Sequence, residues 1–454
     1  MKRVRNLVIA LMAVCLLGTS AYGAGFAIIE QSVSGLGAAF SGGAAAATDA
    51  STIFFNPAGI TRIKGQQVVT GLHFIYPQSD FSGTAANSAL LGGLPITGSG
   101  KDGGETAFVP NLYYVYNPEN TPWAFGVGIN APFGLVTEWD KDWIGRYHAV
   151  KSDVATININ PVFAYKVDDH FSVAVGVSAQ YIDAELSSAI DFGSILAAGA
   201  FPGAVPTQQD GFSVLKADDW AYTYNVGILY EFDQDSRIGA HYRSQVNYEA
   251  KGTATFEYGV LAGNPLAVGG LQAQGFVNGD ASADISLPAN FSLSGYHKVN
   301  DSLALMADVT ITFWSCFDEL RVKFANGGPG GGDSVTTENW DDSWRLSLGA
   351  EYGVNDALTL RFGVAFDETP IPDAAHRTPR IPGEDRYWVA TGFNYGFSDN
   401  ISLDFGYAHL FVKDAKIDKQ AGVNPAGEDF FRGDLVGEFE NSVDIASLQL
   451  NWNF

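Results

Sequence analysis

Charge is scarce in this 454-residue chain, and positive charge scarcer still. Only 17% of residues are Asp, Glu, Lys or Arg, and 26 Lys+Arg stand against 50 Asp+Glu. Soluble domains carry about 25% charged residues. A net charge of −24 has the wrong sign for a phosphate backbone, so a nucleic-acid partner is excluded. Cysteine is nearly absent. Of the two, Cys15 falls in the leader described below, which leaves Cys316 alone and no intrachain disulfide. Beyond the leader no 18 consecutive apolar residues occur, which excludes a helical membrane span. Catalytic signatures are missing too: there is no His-Glu-x-x-His, no Gly-x-Ser-x-Gly and no Walker loop. The seven His (73, 148, 170, 241, 297, 376, 409) lack metal-ligand spacing. The chain is therefore not expected to be an enzyme, and neither cofactor nor metal is expected.

What is abundant is glycine and aromatic surface: 52 Gly, 31 Phe, 19 Tyr and 9 Trp. So much apolar bulk excludes disorder. Lys2, Arg3 and Arg5 precede an apolar run from Leu7 to Leu17 and a small-residue stretch ending at Gly23. Residues 1–23 thus read as a secretory signal peptide cleaved before Ala24. From 171 to 181 the odd positions are Phe, Val, Val, Val, Ala and Tyr; from 222 to 232 the even ones are Tyr, Tyr, Val, Ile, Tyr and Phe. The same period recurs at 303–313, 344–352, 358–366, 387–397 and 401–411. Alternating segments of about ten residues rich in Tyr and Phe point to transmembrane β-strands, whereas soluble strands average about 5–6 residues. Short polar turns at 117–120, 167–170, 232–236, 299–302, 354–357 and 397–400 alternate with long connections, among them 187–218, 251–281, 326–339 and 413–440. Six inner turns with both termini inside give 14 strands. The final strand alternates from Ala446 to Phe454 and ends on an aromatic residue. The fold expected for 65–454 is an all-β, membrane-spanning antiparallel barrel of 14 strands in the outer membrane of a Gram-negative bacterium.

Residues 24–64 do not alternate. They are rich in Gly and Ala and carry Asn56-Pro57-Ala58-Gly59. A wide barrel leaves a lumen that side chains alone do not fill, so this segment is expected to form a hatch, or plug, inside it. The opposite parity to the greasy face puts His241, Arg243, Asp308, Arg345, Glu351, Arg361, Arg386 and Asp404 in the lumen, as paired wall charges. Two outer connections are oddly apolar, at 195–201 and 260–268. Pro132 and Gly134 interrupt the third strand, expected at 122–131, because proline cannot donate to a ladder.

In order along the chain, Ala24-Gly25-Phe26, the stretch Ser34 to Gly42, Asn56-Pro57-Ala58, the stretch Phe133 to Trp139, Tyr242-Arg243-Ser244, Trp314-Ser315 and Asp385-Arg386-Tyr387-Trp388 resemble the long-chain fatty acid outer-membrane transporters (the FadL family). That family also includes uptake channels for aromatic hydrocarbons, and the resemblance covers the whole chain after the leader. It implies passive uptake of hydrophobic small molecules by a monomer set in outer-membrane lipid and lipopolysaccharide. Substrate would collect in a groove between the third and fourth outer loops, at Leu196, Phe201, Leu261 and Leu266. It would then move to a pocket beside the hatch, at Phe26, Ile28, Ala131, Phe133 and Trp314, and leave sideways at the kinked third strand. Asn56, Pro57 and Ala58 would hold the hatch against that strand. Arg321 would meet a fatty-acid head group. The second basic position of the family falls near Ser188, and a polar one is Ala131, which leaves an aromatic hydrocarbon channel open as the alternative; the competing class is a general aqueous porin.

Overall fold

The computed structural model describes residues 25–100 and 102–454; the expected signal peptide, and Ala24 with it, lies outside the described residues. From residue 65 onward the chain is one sheet of fourteen antiparallel strands, each hydrogen-bonded to its sequence neighbours. They are β1 (Gly65–Ala86), β2 (Ala107–Asn117), β3 (Trp123–Asn130, resuming as Gly134–Glu138), β4 (Lys151–Lys166), β5 (Phe171–Asp191), β6 (Asp210–Glu231) and β7 (Ser236–Arg243 and Val246–Glu257). Then follow β8 (Gly279–Leu287 and Asn290–Lys298), β9 (Leu303–Thr312 and Glu319–Phe324), β10 (Ser334–Thr337 and Ser343–Asn355), β11 (Leu358–Asp367), β12 (Arg386–Ser398), β13 (Ile401–Val412 and Ala415–Lys419) and β14 (Asp434–Asn453). The last strand pairs with the first from Gln67↔Asn453 to Ala86↔Asp434, which closes the barrel and removes its edges. Strand number and turn positions are as the sequence predicts.

The pleat explains the alternation. In β6, Tyr222, Tyr224, Val226, Ile228 and Tyr230 face outward and exposed, while Ala221, Thr223, Asn225 and Leu229 are buried. An outward face this apolar suits hydrocarbon and not water. Strand length differs from expectation. The ladder of β5 and β6 runs on to Asp191↔Asp210, through pairs such as Glu185↔Lys216 and Asp183↔Asp218. The connections expected at 187–218, 251–281 and 413–440 therefore shrink to 192–209, 258–278 and 420–433. Above the hydrocarbon the outer face is free to be polar, so the alternation fades while the hydrogen bonds continue.

Residues 26–64 stay out of the sheet as short helices, α1 (Val33–Leu36), α2 (Gly43–Ala46) and α3 (Thr52–Phe55), then a 3-10 helix at Pro57–Arg62. Helix α1 contacts β1 and β12–β14, α2 contacts β6–β9, and the 3-10 helix contacts β2–β6. Close approach is possible because glycines stand in the wall at several of the points where the segment touches it. A carbon added at Gly227, Gly239, Gly349 or Gly363 would overlap atoms of Asn56, Ala44, Ser41 or Ala38 respectively. Part of the glycine excess has this cause.

Candidate functional site

Strand β3 breaks at residues 131–133. Below the break it pairs with β2 from Leu112↔Ile129 to Tyr116↔Phe125. Above it, Gly134–Glu138 pairs with β4, and on the other side, among the described residues, forms the isolated bridge Gly104↔Thr137 just before β2. Pro132 has no N–H and keeps Ala131 extended, so a regular ladder cannot pass through. The exposed backbone is met by the N-terminal segment. Ala27 forms an antiparallel bridge with Phe133, the Ile28 N–H donates to the Pro132 carbonyl at 2.9 Å, and the Gly134 N–H donates to the Phe26 carbonyl at 2.9 Å. The Gln31 amide clasps Ala131, donating to its carbonyl at 2.6 Å and accepting from its N–H at 3.3 Å.

Just above this junction an aromatic cluster is buried. The Phe26 ring lies 6.3 Å from Phe133, 5.0 Å from Trp314, 5.7 Å from Phe317 and 5.9 Å from Trp340, all tilted or edge-on. Ile371 and Ile381 complete it. Gly25, at φ +62°, packs flat on Trp314 and Trp340, where a Cβ would stand 2.6 Å from either ring. The Trp340 indole N–H donates to the Glu338 carboxylate at 3.1 Å. Burial pushes the Glu338 carboxyl up to about 8, against the pull of Lys419.

Toward the α-helical segment a cavity of about 90 Å³ opens, apolar at Ile28, Phe54, Phe55 and Phe133 and polar at His241, Arg243, Asp308, Arg345 and Asp367. The Arg243 guanidinium lies over the Phe54 ring at 4.6 Å and donates to the Phe54 carbonyl at 3.0 Å. That of Arg345 donates to the Ala39 carbonyl at 2.7 Å.

The structure therefore brings Phe26, Phe133 and Trp314 together, with Ile28 and Ala131 at the adjoining break. Ile28 itself belongs to a neighbouring core cluster with Phe40 and Trp388. Arg321 is not brought to them. It lies on the opposite face of β9 from buried Val322 and is engaged by Glu319 at 2.6 Å and Asp333 at 3.2 Å. The Asn56 amide donates to the carbonyls of Ala44 at 2.7 Å and of Ile228 in β6 at 2.8 Å. Its hydrogen bonds run to β6 and not to β3, because bare Gly227 leaves the neighbouring carbonyl within reach; Ile53 packs on β3 instead, at Gly126 and Gly128. In the outer loops, Leu196 and Leu261 are interior to a cluster with Phe192, Phe256 and Phe276, with Phe201 on its flank. Leu266 is 78% exposed. Of the expected lumen charges, Arg361 is held by Glu351 and Asp404. Sequence reasoning missed Trp340, Phe317, Ile371 and Ile381, which come from the interruptions in β9 and β10 and from the β11–β12 connection and carry no local signal.

A family model described as outer membrane protein transport protein (OMPP1/FadL/TodX) matches residues 14–454. The long-chain fatty acid transport protein of Escherichia coli O6:H1 is 33% identical over 427 residues, 90% of this chain and 92% of that protein. Its counterpart in Salmonella typhi is 32% identical over 421 residues, with the same coverage. The crystal structure of a Pseudomonas aeruginosa FadL homologue superposes with a TM-score of 0.85 at 27% identity, covering 95% of this chain and all of that one. The toluene transporter TodX of Pseudomonas putida gives 0.68 at 17% identity, covering 96% and 99%, a likeness of fold alone.

Proposed function

This chain belongs to the OMPP1/FadL/TodX family of outer membrane transport proteins, and from that premise we propose that it takes up long-chain fatty acids by lateral release at the broken β3. The family places it in the outer membrane of a Gram-negative bacterium, among transporters of hydrophobic substrates. Fatty acids are favoured over aromatic hydrocarbons because relatives above 30% identity along most of the chain are named for fatty acid transport.

Residues 24–64 act as a hatch that denies water a continuous path. The exposed loop surface at Leu266 and Val260 offers a first landing place, and the cluster of Phe26, Phe133 and Trp314 a second. One observation carries the reading: the backbone left open by β3 is covered by residues of the hatch itself, Phe26 to Ile28. Shifting that short segment uncovers a side door at membrane depth. An alkyl chain leaving there passes into hydrocarbon, at roughly 25 cal/mol per Å² of apolar surface, and avoids the aqueous periplasm.

A crosslink tests this. In a Cys316→Ser background, Ala27→Cys and Phe133→Cys occupy facing positions of an antiparallel bridge, close enough for a disulfide. Oxidised, the double variant is expected to lose oleate uptake in cells lacking their own transporter, and dithiothreitol is expected to restore it. Undiminished uptake with the bond formed would remove the side door.

A further inference from the structure

Several arginines line the lumen beside the hatch, and their surroundings differ. Arg361 is held by two acids, and Arg386 faces Asp367 at 3.6 Å. Arg243 and Arg345 have no acid within ion-pair distance among the described residues. Each spends Nη2 on a hatch carbonyl, that of Phe54 or Ala39. In both, Nε and Nη1 are buried without a hydrogen-bond partner among the described residues, an arrangement that favours a ligand able to accept from them.

Both line the same cavity, whose own acids are already engaged: Asp308 accepts from Ser294 at 2.5 Å and from Thr310 at 2.9 Å, and Asp367 faces Arg386. Neither of these carboxylates hydrogen-bonds the open Nε and Nη1 of Arg243 or Arg345. The cavity's other wall is apolar and ends at Pro132 and Phe133, at the break in β3. At roughly 10–15 Å³ per water-sized group, about 90 Å³ holds a head group and a few methylenes, so the rest of a long chain must extend past the break.

We propose that this cavity is a carboxylate subsite of the transport path, where Arg243 and Arg345 receive the head group of a fatty acid whose chain lies along Ile28 and Phe133 toward the opening in β3. Two guanidinium forks suit the two oxygens of a carboxylate. The subsite rests on the fatty-acid reading and deepens it, since it makes the acid a better ligand than the matching alcohol.

The test uses the purified full-length barrel and two probes, dodecanoate and dodecan-1-ol, with binding followed by calorimetry. Arg243→Gln and Arg345→Gln are each expected to weaken dodecanoate at least about tenfold and dodecan-1-ol less than about twofold. Arg345→Lys, which keeps the charge, is expected to recover part of the loss. Unchanged dodecanoate affinity in both Gln variants overturns the subsite. So does an equal loss of acid and alcohol, which would make the arginines anchors of the hatch alone. If the unaltered protein binds dodecan-1-ol but no dodecanoate, the fatty-acid reading fails before the subsite does.

Discussion

At Arg321 the neighbours decide what the charge can do. Glu319 and Asp333 already occupy its guanidinium at an exposed position, where ion pairs are screened and an arriving carboxylate would find two acids in place. Arg321→Ala is accordingly expected to leave dodecanoate affinity within about twofold; a tenfold loss by the same calorimetry would move the head group there. Glu338 presents the opposite case. It is buried, and its carboxyl titrates at about 8, above the ordinary value of 4.5. The folded protein therefore holds a proton that the unfolded chain releases. The resulting stabilisation is full below about 4.5 and fades as pH rises through about 8. Trp340, which donates to Glu338 and meets Phe26 edge-on, should feel the change. Hydrogen exchange at the Trp340 amide, corrected for intrinsic rate, is expected to be faster at pH 9 than at pH 6, and Glu338→Gln to remove the difference. Equal rates in the unaltered protein would contradict this. At this scale the sequence made Phe26, Phe133 and Trp314 legible as a group, through the resemblance. It could not reveal Asp333 beside Arg321, because that pairing depends on β9 and β10 meeting across a connection.

Among the elements, the break in β3 was the most legible, since Pro132 acts locally by removing a donor. Its partner was not legible. The bridge Ala27↔Phe133 joins residues that share no pattern, and only the placement of the N-terminal segment brings them together. The outer halves of β5, β6 and β14 were hidden for another reason: above the hydrocarbon nothing requires the outer face to be greasy, so the period-two signal stops before the strand does. The wall glycines argue for a built seat. Gly363 admits the backbone of Ala38, and Gly239 that of Ala44. Valine at either position is expected to unseat the hatch. In planar bilayers the unaltered protein should then show no steady large current, whereas Gly239→Val or Gly363→Val should conduct. Silent variants would mean that the hatch does not depend on those gaps, and steady large currents through the unaltered protein would favour the aqueous porin.

For the molecule as a whole, the fold was written almost entirely in local terms. A bilayer admits a sheet only if it closes, each strand must present an apolar face every second residue, and tight turns announce themselves by composition. From those rules alone came the barrel, its fourteen strands and its membrane. The N-terminal segment was legible as one without alternation, yet its moorings were not. Val33 binds Gln449, Ala50 binds Gln67, and Asn56 reaches Ile228. The sequence by itself thus determined the wall, because strand, turn and lipid contact depend on near neighbours. Only the tertiary structure decided which arginine is matched and which is left open, and which residues cover the gap in β3. Those outcomes depend on side chains far apart in the chain that meet only once the barrel has closed around its first forty described residues.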